Sequence, residues 1–377
     1  MPVTPRSASI LTARLHNQWL ARAGAARPAD VVARLCAVQA QDFIGAKWAI
    51  GLRAKGQDDA SVEAAFDRGD LLRTHVMRPT WHFVTPADIG WMLTLTAPRV
   101  HQASAFYYRQ LGLDTKTLSR AHRVIASALE GGRFHTRTEL AAALAKRGIE
   151  AKGPRLGLLT IHAELEQVMC SGPVRGRQLT YALFDERAPR AKARTPRDLG
   201  GELAARYFAS HGPATLRDFV WWSGLTVAQA KKALEQAAVE PREIEGLTYW
   251  AAGWDIVGRM PPATFLLPNY DEYLIAYKDR DLMLPPGPAP RGGIAGLNAF
   301  EHPLVVDGRL AGYWTRRVSG PKTRIELEPW KPLNATHARA VKAAAARLEK
   351  FSGATTAATS RPGGRAPARR MATRQTP

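Results

Sequence analysis

Two glutamines separated by one residue are the side chains best suited to chemistry in this chain. They lie in the segment Val38-Gln39-Ala40-Gln41. A glutamine amide can orient a water molecule through its carbonyl oxygen and donate through its nitrogen, but it cannot take up a proton at pH 7. The pair could therefore position water for attack on an activated bond, and would be a poor catalyst for an unactivated one.

The spacing of the glutamines restricts the backbone between them. On an α-helix, residues two apart point to nearly opposite sides, so Gln39 and Gln41 could share one water only where the helix ends or is irregular. The helical spacing of apolar residues is interrupted between Val38 and Ala46, which permits such an irregular segment. The alternative is that both glutamines are surface residues at a helix end.

Three carboxylates are candidates for supporting roles. Asp42 could be a general base, but we favour a cap of the helix that follows. Asp271 and Glu272, with Tyr273, follow a buried strand, and no histidine or third acid lies near them at metal-ligand spacing. We expect them to anchor an interdomain network or to bind Arg280, and the sequence predicts neither a metal nor a cofactor.

The charge of the chain favours a polyanionic partner. Lysine and arginine number 53 against 33 acids, which gives a net charge of +20. Removing the five arginines of residues 353–377 lowers this to +15, so the rest of the chain is basic too. A cationic surface attracts polyanions and releases their counterions. Nucleic acid is the leading candidate, an anionic membrane surface is second, and a chain that is merely basic is the remaining alternative.

The compartment is indicated by the cysteines and by what the sequence lacks. Cys36 and Cys170 have no Cys-x-x-Cys partner, which excludes a disulfide scaffold and a cysteine-rich zinc site. There is no apolar run of about 18 residues and no signal-peptide core. We therefore expect a cytoplasmic protein that is not embedded in a membrane.

Basic side chains on two predicted hairpins are candidates for contacts with nucleic acid. His75 and His82 flank Arg78, where an arginine at a turn suits a phosphate or minor-groove contact. The alternatives are structural histidines and a salt bridge from Arg78 to an acid such as Asp88. On the second hairpin, Arg175 and Arg177 flank Gly176, and two arginines on a narrow turn suit DNA contact better than solvated charge.

The elements that must position these residues recur in one order. Helices followed by a β-hairpin are predicted in residues 1–110, 111–195 and 196–260, with caps at Thr138, Thr215 and Thr226. This order is typical of a winged helix, so the sequence predicts an α+β fold of three tandem winged-helix units. Residues 261–352 are predicted to be rich in β-strands, with a turn at Asp307-Gly308 and a last helix, and residues 353–377 to be a disordered basic tail.

Four segments carry a resemblance to a known family. They are Val38-Gln39-Ala40-Gln41, which matches a Gln-x-Gln motif whose relatives carry Gln-x-Asp, and the segments 73–84, 267–280 and 306–314. The second reads Arg-Thr-His-Val-Met-Arg-Pro-Thr-Trp-His-Phe-Val, and the third begins Leu-Pro-Asn-Tyr-Asp-Glu-Tyr. In this order, over roughly residues 9–350, they resemble the AlkZ-like, or YcaQ-type, winged-helix DNA glycosylases.

The resemblance implies a fold, a reaction and a partner. Its members have three winged helices around a concave, basic DNA channel, which residues 261–352 would close. They hydrolyse N-glycosidic bonds of alkylated purines, including bulky or cross-linked N7 adducts of guanine. Gln39 and Gln41 would then be catalytic, and a monomer would act on double-stranded DNA that contains alkylated bases. An N7-alkylated guanine is already cationic and leaves readily, which suits a glutamine pair.

Two other functions remain open from the sequence. A non-catalytic winged-helix protein, such as a transcription regulator, would read bases with a recognition helix. The helix predicted from Leu158 to Met169 carries Glu164 and Glu166 and no arginine or lysine, which weakens that alternative. A winged-helix array used for protein contacts is the third possibility, and the positive charge argues against it.

Overall fold

The computed structural model describes residues 7–189, 192–254, 263–285, 302–319, 322–353 and 359–360. In this part of the chain, helices are combined with small, mainly antiparallel sheets, which confirms the mixed α and β class. None of the described helices is long and apolar enough to cross a membrane. The predicted tail, residues 353–377, lies almost wholly outside the described residues.

The first segment runs to residue 110. Its helices are α1 (Ser7–Asn17), α2 (Pro28–Leu35), α3 (Phe43–Arg53), α4 (Asp59–Arg68) and α5 (Ile89–Gln110). Its strands are β1 (Val38–Gln39), β2 (Leu72–His75) and β3 (Trp81–Val84), which form a sheet in the order β1-β3-β2.

The second and third segments repeat this arrangement. The second contains α6 (Thr115–Leu129), β4 (His135–Thr136), α7 (Arg137–Lys146), α8 (Gly153–Leu165), β5 (Met169–Arg175), β6 (Gln178–Leu183) and α9 (Phe184–Arg187). The third contains α10 (Leu199–His211), α11 (Leu216–Ser223), α12 (Val227–Gln236), β7 (Glu240–Ile244) and β8 (Leu247–Ala251).

The remaining elements form a five-stranded sheet and its covering helix. They are β9 (Thr264–Leu266), α13 (Glu272–Ile275), a 3-10 turn (Asp281–Met283), β10 (His302–Val306), β11 (Arg309–Ser319), β12 (Lys322–Pro329), α14 (Ala335–Ser352) and β13 (Thr359–Ser360). The order is β13-β12-β11-β10-β9. Asp307 and Gly308 both have positive φ at the β10–β11 turn, as the Asp-Gly pair predicts.

One connection pattern recurs three times: a helix, a short extended segment, two helices and a hairpin. The short segment pairs with the second strand of the hairpin, which gives the orders β1-β3-β2 and β4-β6-β5. In the third copy, Ala214 bridges Trp250 of β8, and β8 pairs with β7. A hairpin therefore follows the helices in each of the three places where the sequence predicts one.

Side-chain caps explain where several helices begin. Thr215 and Thr226 form capping boxes with Asp218 and Gln229, in agreement with the sequence. The predicted cap Thr138 is wrong, because α7 begins two residues earlier, where Thr136 and Glu139 form the capping box.

Two large hydrophobic cores lie beneath these elements. One joins the first segment, the third segment and the C-terminal sheet, and the other is built mainly from α6, α7 and α8. Helix α5 belongs to both, because Val100 packs in the first core and Tyr108 in the second. The long α5 helix is therefore the mechanical link between the two cores.

A buried ion pair ties the C-terminal segment to the first segment. The guanidinium of Arg53 donates to both oxygens of Asp271, at 2.7 and 2.9 Å, and both side chains are fully buried. This contact agrees with the first of the two roles expected of Asp271, an anchor between segments, and the second, a bond to Arg280, is wrong. The Nε of Arg280 donates instead to the carbonyls of Leu274 and Tyr277.

We predict that Asp271→Asn lowers the free energy of unfolding by about 3–5 kcal/mol, because it leaves the Arg53 charge buried and unpaired. Urea denaturation measures the loss. The matched control is Asp70→Asn, which removes an exposed partner of Arg68 and should leave stability unchanged within error. Equal stability of the two variants would contradict the structural role of the buried pair.

Candidate active site

Gln39 ends the short strand β1, and Gln41 follows it at a bend. Gln39 pairs with His82 in the β1–β3 ladder, and the backbone N–H of Ala40 continues it by donating to the carbonyl of Trp81 at 2.7 Å. The helix end considered from the sequence is therefore not what holds them. The side-chain oxygen of Gln41 accepts from the backbone N–H of Trp81, the residue before His82, so both glutamines lie along the same strand, β3.

Gln39 is buried and its amide orientation is determined by its neighbour. The carbonyl oxygen accepts a hydrogen bond from Nη2 of Arg78 at 2.9 Å. Arginine can only donate, so the oxygen of the amide must face Arg78 and the nitrogen must face away. Among the described residues, the amide nitrogen of Gln39 has no hydrogen-bond acceptor, which leaves it available as a donor.

Gln41 is exposed and weakly held. Its side-chain oxygen accepts from the backbone N–H of Trp81 over 3.4 Å, at the long end of the hydrogen-bond range. A carbonyl oxygen has two lone pairs, so this atom can still accept a hydrogen bond from water. Gln41 is thus the acceptor of the pair and Gln39 the donor.

A small recess follows Gln41 in the chain. Asp42 caps α3, with its Oδ1 accepting from the N–H of Ile44 at 3.1 Å, as favoured from the sequence. A Cβ on Gly45 would lie 2.8 Å from Oδ2 of Asp42 and 2.9 Å from Oδ1 of Asn269. A larger residue would therefore have to displace these two side chains. Within the described chain, the buried oxygen of Asn269 has no hydrogen-bond donor.

Glu272 holds strand β1 in place through hydrogen bonds. Its Oε1 accepts from the backbone N–H of Gln39 at 2.8 Å, and its Oε2 accepts from Nε1 of Trp222 at 2.9 Å. His211 lies 3.4 Å from the same Oε2. Burial alone would raise the pKa of Glu272, but the contact with His211, together with His82 and the backbone N–H of Gln39, holds the pKa below its ordinary value. With both oxygens occupied, this carboxylate has no access to a substrate.

The two predicted histidines are buried. His75 has Nδ1 2.6 Å from Oε2 of Glu164, and the Nδ1 of His82 donates to the carbonyl of Thr80 at 2.9 Å. Only 3 % of His75 and none of His82 is exposed. Their predicted contact with DNA does not fit this burial, which agrees instead with the alternative of structural histidines.

Arg78 lies beside the glutamines and is partly buried. Its guanidinium is 5.5 Å from the centre of the Trp221 ring, and burial lowers the pKa of Arg78. The alternative salt bridge to Asp88 is wrong, because Asp88 binds Arg206 at 2.7 Å. The tertiary structure thus turns Arg78 towards Gln39.

The sequence did not assign a site role to Trp221, Trp222 or His211. These residues of α10 and α11 complete the surroundings of Arg78 and Glu272. The adjacent tryptophans are the only sequence signal here, and large aromatic side chains are as typical of a core as of a site. Trp222 is indeed fully buried, whereas Trp221 is partly exposed beneath the ammonium group of Lys278, 4.5 Å from its ring centre.

The second hairpin presents its arginines to solvent. Gly176 adopts φ +65° at the turn between β5 and β6, and Arg175 and Arg177 on either side are exposed. Arg175 forms an ion pair with Glu139, whereas Arg177 has no such partner in the described chain. No hydrogen bond or ion pair between described residues links this hairpin to Gln39 or Gln41.

We predict that His82 makes stability depend on pH. Burial, and secondarily Arg78, lowers the pKa of His82 from 6.5 to about 3. Below pH 6.5 the unfolded chain therefore binds a proton at His82 and the folded chain does not. As the pH falls from 6.5, the free energy of unfolding decreases by up to about 1.4 kcal/mol per pH unit. His82→Asn, which does not titrate, should lose stability less steeply in urea denaturation. Parallel curves for the two proteins would contradict the lowered pKa.

Known proteins resemble this chain in sequence and in fold. The model of the family "DNA glycosylase AlkZ-like" matches residues 32–351. A curated relative, the interstrand DNA cross-link repair glycosylase of Streptomyces sahachiroi, is 28 % identical over 321 residues, which are 80 % of this chain and 85 % of that protein.

A solved structure shares the fold. The DNA glycosylase AlkZ of Streptomyces sahachiroi superposes with a TM-score of 0.79 at 22 % identity, over 95 % of this chain and all of that one. The family model spans most of the chain and includes both glutamines, Glu272 and the elements that hold them. The chain therefore belongs to the AlkZ-like family of DNA glycosylases, which are hydrolases of DNA repair.

Proposed function

We propose that this chain hydrolyses the N-glycosidic bond of alkylated purines in double-stranded DNA, with cationic N7-alkylguanine as its substrate class. The observation that carries the proposal is the arrangement of the glutamine pair: an exposed acceptor, Gln41, beside a buried donor, Gln39, whose orientation Arg78 determines. Such a pair suits a leaving group that is activated before the enzyme acts.

The proposed reaction needs little acid or base chemistry. Water attacks C1′ of the sugar, the bond from C1′ to N9 breaks, and its electron pair neutralises the positive charge of the alkylated purine. Gln41 accepts a hydrogen bond from the attacking water, and the proton passes to solvent. Gln39 donates from its amide nitrogen and fixes the position of the water or of the sugar-phosphate beside it.

The nearby carboxylates favour an electrostatic role over a base. Glu272 is saturated with donors and buried, so it has no access to water. Asp42 uses Oδ1 to cap α3, while its other oxygen lies at the Gly45 recess. A negative charge at this point would stabilise the positive charge that develops on the sugar in the transition state.

The repeated topology supports DNA binding by three winged helices in residues 1–110, 111–195 and 196–260. In each copy a short extended segment pairs with the hairpin, which is the arrangement of a helix-turn-helix with a wing. The basic composition supports a channel that attracts DNA, and the exposed tip at Arg177 supports contact with its backbone. Residues 261–352, which contain Glu272, would close this channel.

Bulky or cross-linked adducts are the substrates we propose in the cell. The curated relative is named for interstrand cross-link repair. The exposure of Gln41 supports the same reading, since a solvent-facing acceptor can serve a lesion too large for a closed pocket. Removal without full base flipping would follow.

A transcription regulator is less well supported. Its base contacts would come from α8, the helix before the second hairpin. Glu164 of this helix is buried and accepts from the backbone N–H of His75 at 2.8 Å, so that part of α8 packs inside the protein. A helix used for an internal contact is a poor reader of the major groove.

We also propose that the protein acts as a cytoplasmic monomer. One chain supplies all three repeats, so no second copy is needed to complete them. Cys36 and Cys170 are both free and buried, which suits a reducing compartment.

We predict that Gln41→Ala lowers the release of 7-methylguanine from alkylated duplex DNA by about 100-fold, because the water is no longer positioned. The double variant Gln39→Ala, Gln41→Ala should lose release entirely and still bind the duplex. Exposed Gln236→Ala is the matched control and should keep wild-type activity. Single-turnover release with chromatographic detection of the free base is the measurement.

Two results would overturn this mechanism. Wild-type release that survives in the double variant would exclude the glutamines as its source. No release of either 7-methylguanine or a bulky N7 adduct, despite tight duplex binding, would favour the regulator.

We predict that Arg177→Ala weakens duplex binding and lowers the slope of log affinity against log salt by about 1, the value for one phosphate contact. Arg175→Ala should have a smaller effect, because Glu139 already neutralises Arg175. Lys350→Ala, an exposed cation on α14, controls for the change in net charge. Fluorescence anisotropy over a range of salt concentrations measures both quantities, and equal slopes for all three variants would remove the hairpin from the interface.

A further inference from the structure

Three helices bring histidines together at a place far in sequence from the glutamines. His101 lies on α5, His122 on α6 and His162 on α8, and Glu166 caps the C-terminus of α8. The His162 ring centre is 4.6 Å from that of His101 and 4.9 Å from that of His122. The glycosylase mechanism has no use for this cluster.

The donor atoms of the cluster converge. A ring nitrogen of His101, a ring nitrogen of His162 and a carboxylate oxygen of Glu166 all lie within 4.8 Å of one another. Ligands of a tetrahedral zinc ion lie about 3.4 Å apart, given metal–ligand bonds of about 2.0–2.1 Å. Small rotations of these three side chains would bring their donor atoms to that spacing. His162 and Glu166 are one helical turn apart and project from the same face of α8.

The histidines also have the outer partners that metal ligands need. Nδ1 of His101 lies 3.1 Å from the Tyr108 hydroxyl, and donation through this nitrogen leaves the lone pair on Nε2. That Nε2 makes no hydrogen bond in the described chain, although it lies only 2.9 Å from Oε1 of Glu166. His122 lies 3.0 Å from Nδ1 of His162 and fixes the orientation of that ring.

We propose that His101, His162 and Glu166 bind one divalent transition-metal ion of the zinc class, with His122 as a positioning residue. Two imidazoles and a carboxylate favour zinc, cobalt, nickel or copper, whereas magnesium and calcium prefer oxygen ligands alone. The carboxylate of Glu166 is 49 % exposed, so the fourth position opens to solvent and takes a water molecule. The sequence predicted no metal, because the ligands come from helices about 60 residues apart.

The position of the cluster suggests a structural role for the ion. His101 lies on α5 between Val100, which packs in the first core, and Tyr108, which packs in the second. A metal that binds α5 and α8 together would make the junction between the two cores rigid. Binding to the folded state alone would also raise the melting temperature in proportion to the logarithm of metal concentration.

Cobalt is the probe for this site, because its ligand-field absorption reports on the ligands directly. The untagged full chain is stripped with a chelator and titrated with CoCl2. We expect one Co²⁺ per chain, a visible spectrum that ZnCl2 removes, and a higher melting temperature. MgCl2 should change neither quantity.

Variants connect the signal to the ligands. Glu166→Gln and His101→Gln should abolish the cobalt spectrum, and His122→Ala should weaken binding by about 10- to 100-fold without changing the stoichiometry. His135→Ala is the matched control, since His135 also lies near a glutamate of the same segment, 3.9 Å from Glu139, but outside the cluster. It should bind cobalt as wild type does.

The cobalt spectrum can be measured without any enzymatic activity and in variants that fold. Glu166 is half exposed, so Glu166→Gln is expected to fold normally, and far-UV circular dichroism checks that it does. Absence of a stoichiometric spectrum in wild type would overturn the proposal. A spectrum that persists in folded Glu166→Gln and His101→Gln would overturn it equally.

Discussion

A carboxylate without access to water must find its hydrogen-bond donors in the surrounding chain, and Glu272 finds them in distant segments. The backbone of Gln39, the indole of Trp222 and the ring of His211 all converge on it. The neighbouring Asp271 binds Arg53 in the same buried region. Leaving any of these charges unpaired would be costly, so the first segment, the third segment and α13 must assemble together. The position of β1, and with it the glutamine pair, depends on that assembly.

The chemistry at the surface of this assembly is modest by comparison. An amide that cannot be protonated or deprotonated at neutral pH offers only position and polarity. In the proposed reaction this would suffice, because an alkylated leaving group already carries a positive charge and departs without being protonated. In the reaction we propose, selectivity against undamaged DNA would follow from the absence of an acid in the glutamine pair. An ordinary purine needs protonation, which Gln39 and Gln41 cannot supply.

Gln39 shows why orientation matters as much as residue type. An amide can present either end to a substrate, and electron-rich and electron-poor ends have opposite effects on a developing cation. Arg78 removes this ambiguity, since it can only donate. Burial of Arg78 next to Trp221 and near Glu272 in turn holds its guanidinium in place. In the proposed reaction, Arg78 would thus act through Gln39, without needing to contact DNA.

The sequence by itself determined the family, the mixed fold class and the order of the elements. Local signals suffice for these: apolar periodicity locates helices and strands, Thr215 and Thr226 cap helices wherever they occur, and Asp307-Gly308 makes a tight turn. It also placed the cap of α3 at Asp42, as the structure confirms, and it made Gln39 and Gln41 the candidates for catalysis.

The tertiary structure decided the environment of each side chain. His75 and His82 read as exposed contacts on a hairpin, but other elements cover that hairpin and bury both rings. Asp271 was expected to anchor an interdomain network or to bind Arg280. It binds Arg53, 218 residues away, because a buried carboxylate takes the donor that the fold brings to it. The cluster of His101, His162 and Glu166 could not be predicted from the sequence for the same reason. Spacing along the chain describes only local neighbours, whereas burial and partners depend on how distant segments pack.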